Sequence, residues 1–189
     1  MSNLWYTSDP HVGHRLVSGL RGFDDPADHD AWLADLWDSS VQSGDQVFVL
    51  GDLSINGGQH ALDWIESRPG TKHLIAGNHD PVHPRHYRKY PKSFRHWLNY
   101  FETIQPFYRK KLLGRTVLMS HFPYFGEGDR LQEDRHPEYR LRDEGELLLH
   151  GHTHDKQKAH DGNMFHVGLD AWRELVPQET ILDWISSTS

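Results

Sequence analysis

The chain has 189 residues, 36% hydrophobic and 25% charged, with 7 Trp, 8 Phe and 7 Tyr. That fits one domain with a real core and excludes a disordered chain, while the absence of Cys excludes disulfides, thiolate metal sites and a cysteine nucleophile. Its 20 basic residues stand against 27 acidic ones, formally −7, so binding to nucleic acid through its phosphate backbone is not expected and an anionic substrate needs a local source of positive charge.

In chain order, Leu4–Thr7 reads as a first strand that ends at Ser8-Asp9-Pro10. Asp25-Pro26 reads as a helix start, a carboxylate N-cap followed by Pro at the first helical position. Trp32, Leu33, Leu36 and Trp37 recur at helical spacing and form its buried face. Residues 47–50 are a continuous apolar run, suited to a strand buried on both faces, that stops at Gly51-Asp52. Ala61, Leu62, Trp64 and Ile65 suggest a second helix, closed by Arg68-Pro69-Gly70. Residues 73–76 form a strand that ends at Gly77-Asn78. The basic, aromatic segment 81–100 is expected to be helical in part. Strands follow at 117–120, ending at His121, and at 147–149, ending at His150-Gly151-His152. Segments 164–167 and 180–184 are expected to close the chain as strands. The alternation of strands and helices points to an α/β fold.

Five of these strands run into loops that begin with Asp, His or Asn: Asp9/His11, Asp52, Asn78/His79, His121 and His152/His154. Strands that share a sheet bring such loops together at one end. Asp9/His11 and His152/His154 are spaced i, i+2, which in extended backbone places both side chains on one side, so each pair can offer two ligands to one metal region. Seven residues, Asp9, His11, Asp52, Asn78, His121, His152 and His154, supply carboxylate, imidazole and amide oxygen without sulfur. That is more than one ion needs and suits two ions about 3.5–4 Å apart that share a carboxylate. His79 is then left over as an acid–base group.

The ordered set Asp9-x-His11, Gly51-Asp52, Gly77-Asn78-His79-Asp80, His121 and Gly151-His152-Thr153-His154 resembles the calcineurin-like metallophosphoesterases, and most closely their small single-domain bacterial and phage members. Those chains tend to begin with a stretch like Trp5 to His14 and to end with one like Val167 to Trp172. The resemblance implies a four-layer αββα sandwich of two mixed β-sheets flanked by helices, formed by residues 1–189 as a single domain. It implies that Asp9, His11, Asp52 and His154 bind a first divalent ion. Asp52, Asn78, His121 and His152 would bind a second, with Asp52 bridging. Mn is the first expectation for both ions, with Fe and Zn as alternatives. The implied reaction is phosphoester hydrolysis by a hydroxide that bridges the metals, with Asp52, Asn78 and His79 catalytic, Asn78 and His79 touching substrate, and His79 acting near the leaving group.

In the larger phosphoprotein phosphatases a second Asp, three positions after the bridging one, orients the catalytic His; here that position is Ile55, and Asp80 or another carboxylate is left to take the role. The expected substrate is a small phosphodiester, such as a 2′,3′-cyclic nucleotide. A nuclease and a non-catalytic, metal-stabilised interaction module are the alternatives. The polar stretch 126–145, with Arg130, Arg135, Arg140 and Arg142, is expected to border the site. His150 reads as packing at a strand end, and His166 reads equally as core or site. No membrane partner is expected, since no apolar run is long enough to span one. A cytoplasmic location is expected from the absence of a signal pattern at Met1 to Trp5. Oligomeric state is left open.

Overall fold

The computed structural model describes residues 2–55, 57–127, 133–160 and 162–188. Two five-stranded mixed sheets form its centre. In the first, β1 (Leu4–Thr7), β2 (Gln46–Val49), β3 (Thr71–Ile75) and β4 (Thr103–Gln105) run parallel, and β10 (Val176–Pro177) joins β1 antiparallel in the order β10-β1-β2-β3-β4. The second sheet has the order β5-β6-β7-β9-β8, built from β5 (Phe107–Leu112), β6 (Arg115–Ser120), β7 (Leu147–His150), β8 (Ala159–His160) and β9 (Met164–His166). Strands β6, β7 and β9 are parallel, and both edge strands are antiparallel.

Period-two alternation sorts the apolar residues between layers. On β2, Val47 and Val49 face outward, into a cluster with Leu33 and Trp37 of α2 (Pro26–Ser40), Ala61, Leu62 and Ile65 of α3 (Gln59–Glu66), and Trp97 of α4 (Tyr90–Trp97). Phe48 and the following Leu50 face inward, where with Tyr6 and Ile75 they meet Val117, Met119, Leu147, Leu149 and Phe165 of the second sheet. On β7, Leu148 points the other way, to Met164 and Tyr124, with Leu118 and Leu141 beside them. The fold is therefore the expected α/β sandwich of two mixed sheets with helices outside. On the far face of the second sheet, the described residues supply much of the cover from the long β6–β7 connection rather than from a long helix. The helix start at Asp25-Pro26 forms as read, with Ala27 N donating to Asp25 Oδ1 at 2.9 Å.

Segment 180–184 is not a strand. It lies inside α6 (Gln178–Ser187), whose Ile181, Trp184 and Ile185 are spaced i, i+3, i+4 and close the inter-sheet core. The short β10 just before it takes the edge position beside β1. Two short helices near the strand ends were not read in the sequence: α1 (Arg15–Leu20) after the first loop, and α5 (Leu169–Trp172) after β9.

Candidate metal centre

The loops that leave β1, β2, β3, β6 and β7 meet at one end of the sandwich and are hydrogen-bonded to one another. Asp9 N and His11 N donate to Gly51 O and Asp52 O at 3.0 and 3.1 Å, joining the first loop to the second. Asp80 joins the second to the third: its carboxylate accepts from Asp52 N, Leu53 N and Gly77 N at 3.0, 3.1 and 2.8 Å. His152 N donates to Asp9 Oδ2 at 3.0 Å, which ties the second sheet to the first, and Gly151 N donates to His121 O at 3.0 Å, which joins the loops after β6 and β7. These approaches leave no room for side chains at two glycines. A Cβ at Gly151 would overlap Ser8 Oγ and Asp9 Oδ2, and one at Gly77 would overlap Asp52.

The backbone here is not extended. Asp9, His11, Asp52, His152 and His154 all have positive φ, at 58°, 51°, 54°, 72° and 55°. Asp and His are among the few residues that enter this region with modest strain, and such strain gathers at functional sites. The left-handed turns also overturn the expected geometry of the i, i+2 pairs. Asp9 and His11 do share a cluster, but His152 and His154 part. His154 Nε2 lies 3.1 Å from His11 Nε2, whereas His152 Nδ1 lies 3.2 Å from His121 Nε2.

Two clusters result. In one, His154 Nε2 is 3.6 Å and His11 Nε2 3.9 Å from Asp9 Oδ1. In the other, His121 Nε2 is 3.4 Å from Asp52 Oδ2 and 3.1 Å from Asn78 Oδ1. Asp52 Oδ2 also lies 3.9 Å from His11 Nε2 and so faces both. All seven residues expected as ligands are brought together, and six are buried, with His154 half-buried. Two triplets have spacing that could hold an ion, Asp9/His11/His154 and Asp9/Asp52/His121. His79 is at the rim, its side chain 41% exposed, with its ring 3.9 Å from Asp52 Oδ2 and its backbone N donating to Asp52 Oδ1 at 2.8 Å.

The far side of each ring decides what the near side can do. His121 Nδ1 donates to Leu50 O at 2.8 Å, and His154 Nδ1 donates to Asp170 Oδ2 at 2.8 Å. Asp170 is itself held by Arg21 through two bonds of 2.9 and 2.7 Å. His152 Nε2 lies 3.4 Å from Glu127 Oε2, a fully buried carboxylate that also takes Arg135 and Arg140. With His121 protonated only at Nδ1 and His152 only at Nε2, lone pairs of the two rings would face each other 3.2 Å apart, and Asp9 Oδ1 is buried with no hydrogen-bond partner among the described residues. Facing acceptors and an orphaned carboxylate oxygen call for a cation between them, and the all-N/O donor set fits a divalent ion of that preference.

Burial opposes charge on Asp52, but the His121 charge and hydrogen bond hold its carboxyl far below the usual range. Burial likewise works against a charged His121, and Asp52 overrides it, pushing the imidazole up to about 9, so a metal that bound this ring would displace its proton. Burial pushes His11 down to about 3 and His152 down to about 4, so both stay neutral at working pH. Burial opposes charge on Glu127 and Asp170 too; hydrogen bonds from His152 and Arg135, and from Arg21 and His154, keep both ionised.

Several residues stand elsewhere than the sequence suggested. Asp80 does not reach the His79 ring; it braces three backbone amides, and burial and Asp52 push it up to about 7. His166 is wholly buried, with its ring stacked on His150 at 5.3 Å, and does not line the cavity. Within 126–145, Arg135 lines the cavity, Arg140 is drawn to Glu127 and exposed Arg142 pairs with Glu144; Arg130 lies outside the described residues. Glu127, Asp170 and Arg21 were missed. Asp170 and Glu127 each had a signal, since they lie in the Val167 to Trp172 and 126–145 stretches already singled out; Arg21 had none.

The centre opens into a cavity of about 680 Å³. No helix among the described residues is long and apolar enough to cross a membrane. Residues 2–156 match the calcineurin-like phosphoesterase family pattern. The Gene 66 protein of Mycobacterium phage L5 is 42% identical, over 98% of this chain and 95% of its own length. The Gene 66 protein of Mycobacterium phage D29 is 44% identical, over 98% and 97%. A solved structure of a protein of unknown function from Aquifex aeolicus shares the fold, with a TM-score of 0.67 at 20% identity over 96% of this chain and 98% of that one.

Proposed function

The chain belongs to the calcineurin-like phosphoesterase family, and on that footing we propose that it is a metal-dependent phosphodiesterase acting on small diesters. The observation that carries this reading is the pair of clusters joined by Asp52, with ring nitrogens turned toward one another and their outer nitrogens committed to Leu50 O, Asp170 and Glu127. Asp9, His11, Asp52 and His154 would hold one divalent ion, and Asp52, Asn78, His121 and His152 a second, with Mn as the first candidate. Ions held there supply a positive field on the phosphoryl oxygens and a water acidic enough to attack near neutral pH.

The protein's own groups do the rest. Asn78, its side chain fixed against His121, and His79 stand where the reacting phosphate must enter. His79 stands at the rim of the set, its side chain 41% exposed and its ring 3.9 Å from Asp52 Oδ2. Burial lowers its pKa below that of a free histidine, which makes the protonated ring a stronger acid toward a departing oxygen and also the less populated form at neutral pH. A basic surface is not needed to attract the anion, because the ions provide the charge.

The test compares hydrolysis of bis(p-nitrophenyl) phosphate with p-nitrophenyl phosphate by chelated protein and by protein reloaded with Mn. Metal-dependent turnover with a higher kcat/KM for the diester is expected. A preference for the monoester would overturn the diester assignment.

A further inference from the structure

The cavity has walls that the hydrolytic reading leaves unused. One is apolar: Leu16 and Leu20 of α1, 66% and 76% exposed, line it together with Ile55. Leucines do not stand this exposed on a helix for the sake of the core, and Val17 and Ser18 between them are the residues of α1 that are buried inward. The other is cationic: Lys156 and Arg173 also line the cavity. Neither has a carboxylate partner among the described residues. In a chain with more acidic than basic residues this is notable, because the other site arginines, Arg21, Arg135 and Arg140, are all neutralised by Asp170 or Glu127. Arg173 is also held in place. It ends α5 in a left-handed conformation, its guanidinium lies 4.8 Å over the Trp32 ring, and its Nη1 donates to Arg21 O at 3.4 Å. An ordered guanidinium with no acid beside it is a binding group without its anion.

We infer that, beyond the reacting phosphate, this site recognises a second phosphate through Lys156 and Arg173 and a flat aromatic ring on the Leu16–Leu20 shelf, so that its substrates are nucleotide diesters bearing a further phosphate. Four residues of helix separate the leucines by roughly 6 Å along the axis, a length that matches a nucleobase and is too short for an acyl chain. Two cations that line the same cavity as the centre match a dianion better than a ribose. This rests on the proposed hydrolysis for its chemistry but not for its test, which is one of binding.

Adenosine 3′,5′-bisphosphate, adenosine 5′-monophosphate and inorganic phosphate are titrated calorimetrically into the Mn-loaded protein. The bisphosphate is expected to bind about tenfold more tightly than the monophosphate, as one added charge-assisted contact gives. That ratio should fall toward one in Lys156→Gln and in Arg173→Gln; the first is an exposed rim residue whose loss cannot disturb folding. Leu20→Ser should weaken adenosine monophosphate and leave inorganic phosphate unchanged. Equal affinity of the two nucleotides for the native protein, binding of neither, or a ratio untouched by both cation variants overturns the phosphate subsite. Unchanged monophosphate affinity in Leu20→Ser overturns the shelf. If the binding preferences hold while no diester is turned over, the hydrolytic reading falls and this one stands.

Discussion

At the residue scale, the centre is governed by groups that would not touch an ion. Asp170 fixes His154 from behind and is clamped by Arg21, so the His154 lone pair can point only inward. Asp170→Asn removes that constraint and is expected to weaken metal affinity by about 10- to 100-fold, the usual size of such an effect, in a competition titration against a chelator. Unchanged affinity would mean the ring is fixed by something else. His79 makes a different kind of demand. If it supplies a proton to the leaving oxygen, His79→Gln should lower kcat by about 10²–10⁴ for diesters with alkoxide leaving groups and far less for p-nitrophenolate, which departs without help. An equal loss on both would make His79 a positioning residue. The seven residues that converge at the centre were legible in the sequence because short, ordered motifs carry them. Glu127 and Arg21 were not, because a carboxylate in a polar connection or an arginine after a short helix looks solvated until the fold brings it to a ring.

At the element scale, the strands were legible wherever a continuous apolar run stopped at a polar loop, and β1, β2, β3, β6, β7 and β9 all obey that rule. The rule gives no account of the loop conformation. Asp9, His11, Asp52, His152 and His154 are all in left-handed backbone, so extended geometry does not hold there: Asp9 and His11 share a cluster while His152 and His154 divide between two. The rule also failed at the C-terminus, where Ile181 and Ile185, four apart, suit either periodicity and only Trp184, three after Ile181, favours the helix. Ile181 is fully buried in the inter-sheet core. Ile181→Ala is therefore expected to cost about 3 kcal/mol in urea unfolding, within the range for an aliphatic core truncation. A loss below about 1 kcal/mol would place α6 outside the cooperative core.

At the scale of the whole molecule, the two sheets contribute unequally but jointly. The first delivers Asp9, His11, Asp52, Asn78 and His79; the second delivers His121, His152 and His154. The site exists only where the ends of both sheets meet, and Asp9 accepting from His152 N is one of the bonds that hold them there. This division explains why composition could suggest a metal site but could not show convergence: the ligands span positions 9 to 154, and only the sandwich makes them neighbours. It also leaves Asp52, which faces both clusters, as the proposed bridge between them. Metal stoichiometry by Mn titration of the chelated protein, run beside Asp52→Asn, tests that most directly. Two ions per chain in the native protein, and loss of both high-affinity sites in Asp52→Asn, are expected. Saturation at one ion, or a variant that still takes up two as tightly, would contradict a paired centre built on Asp52.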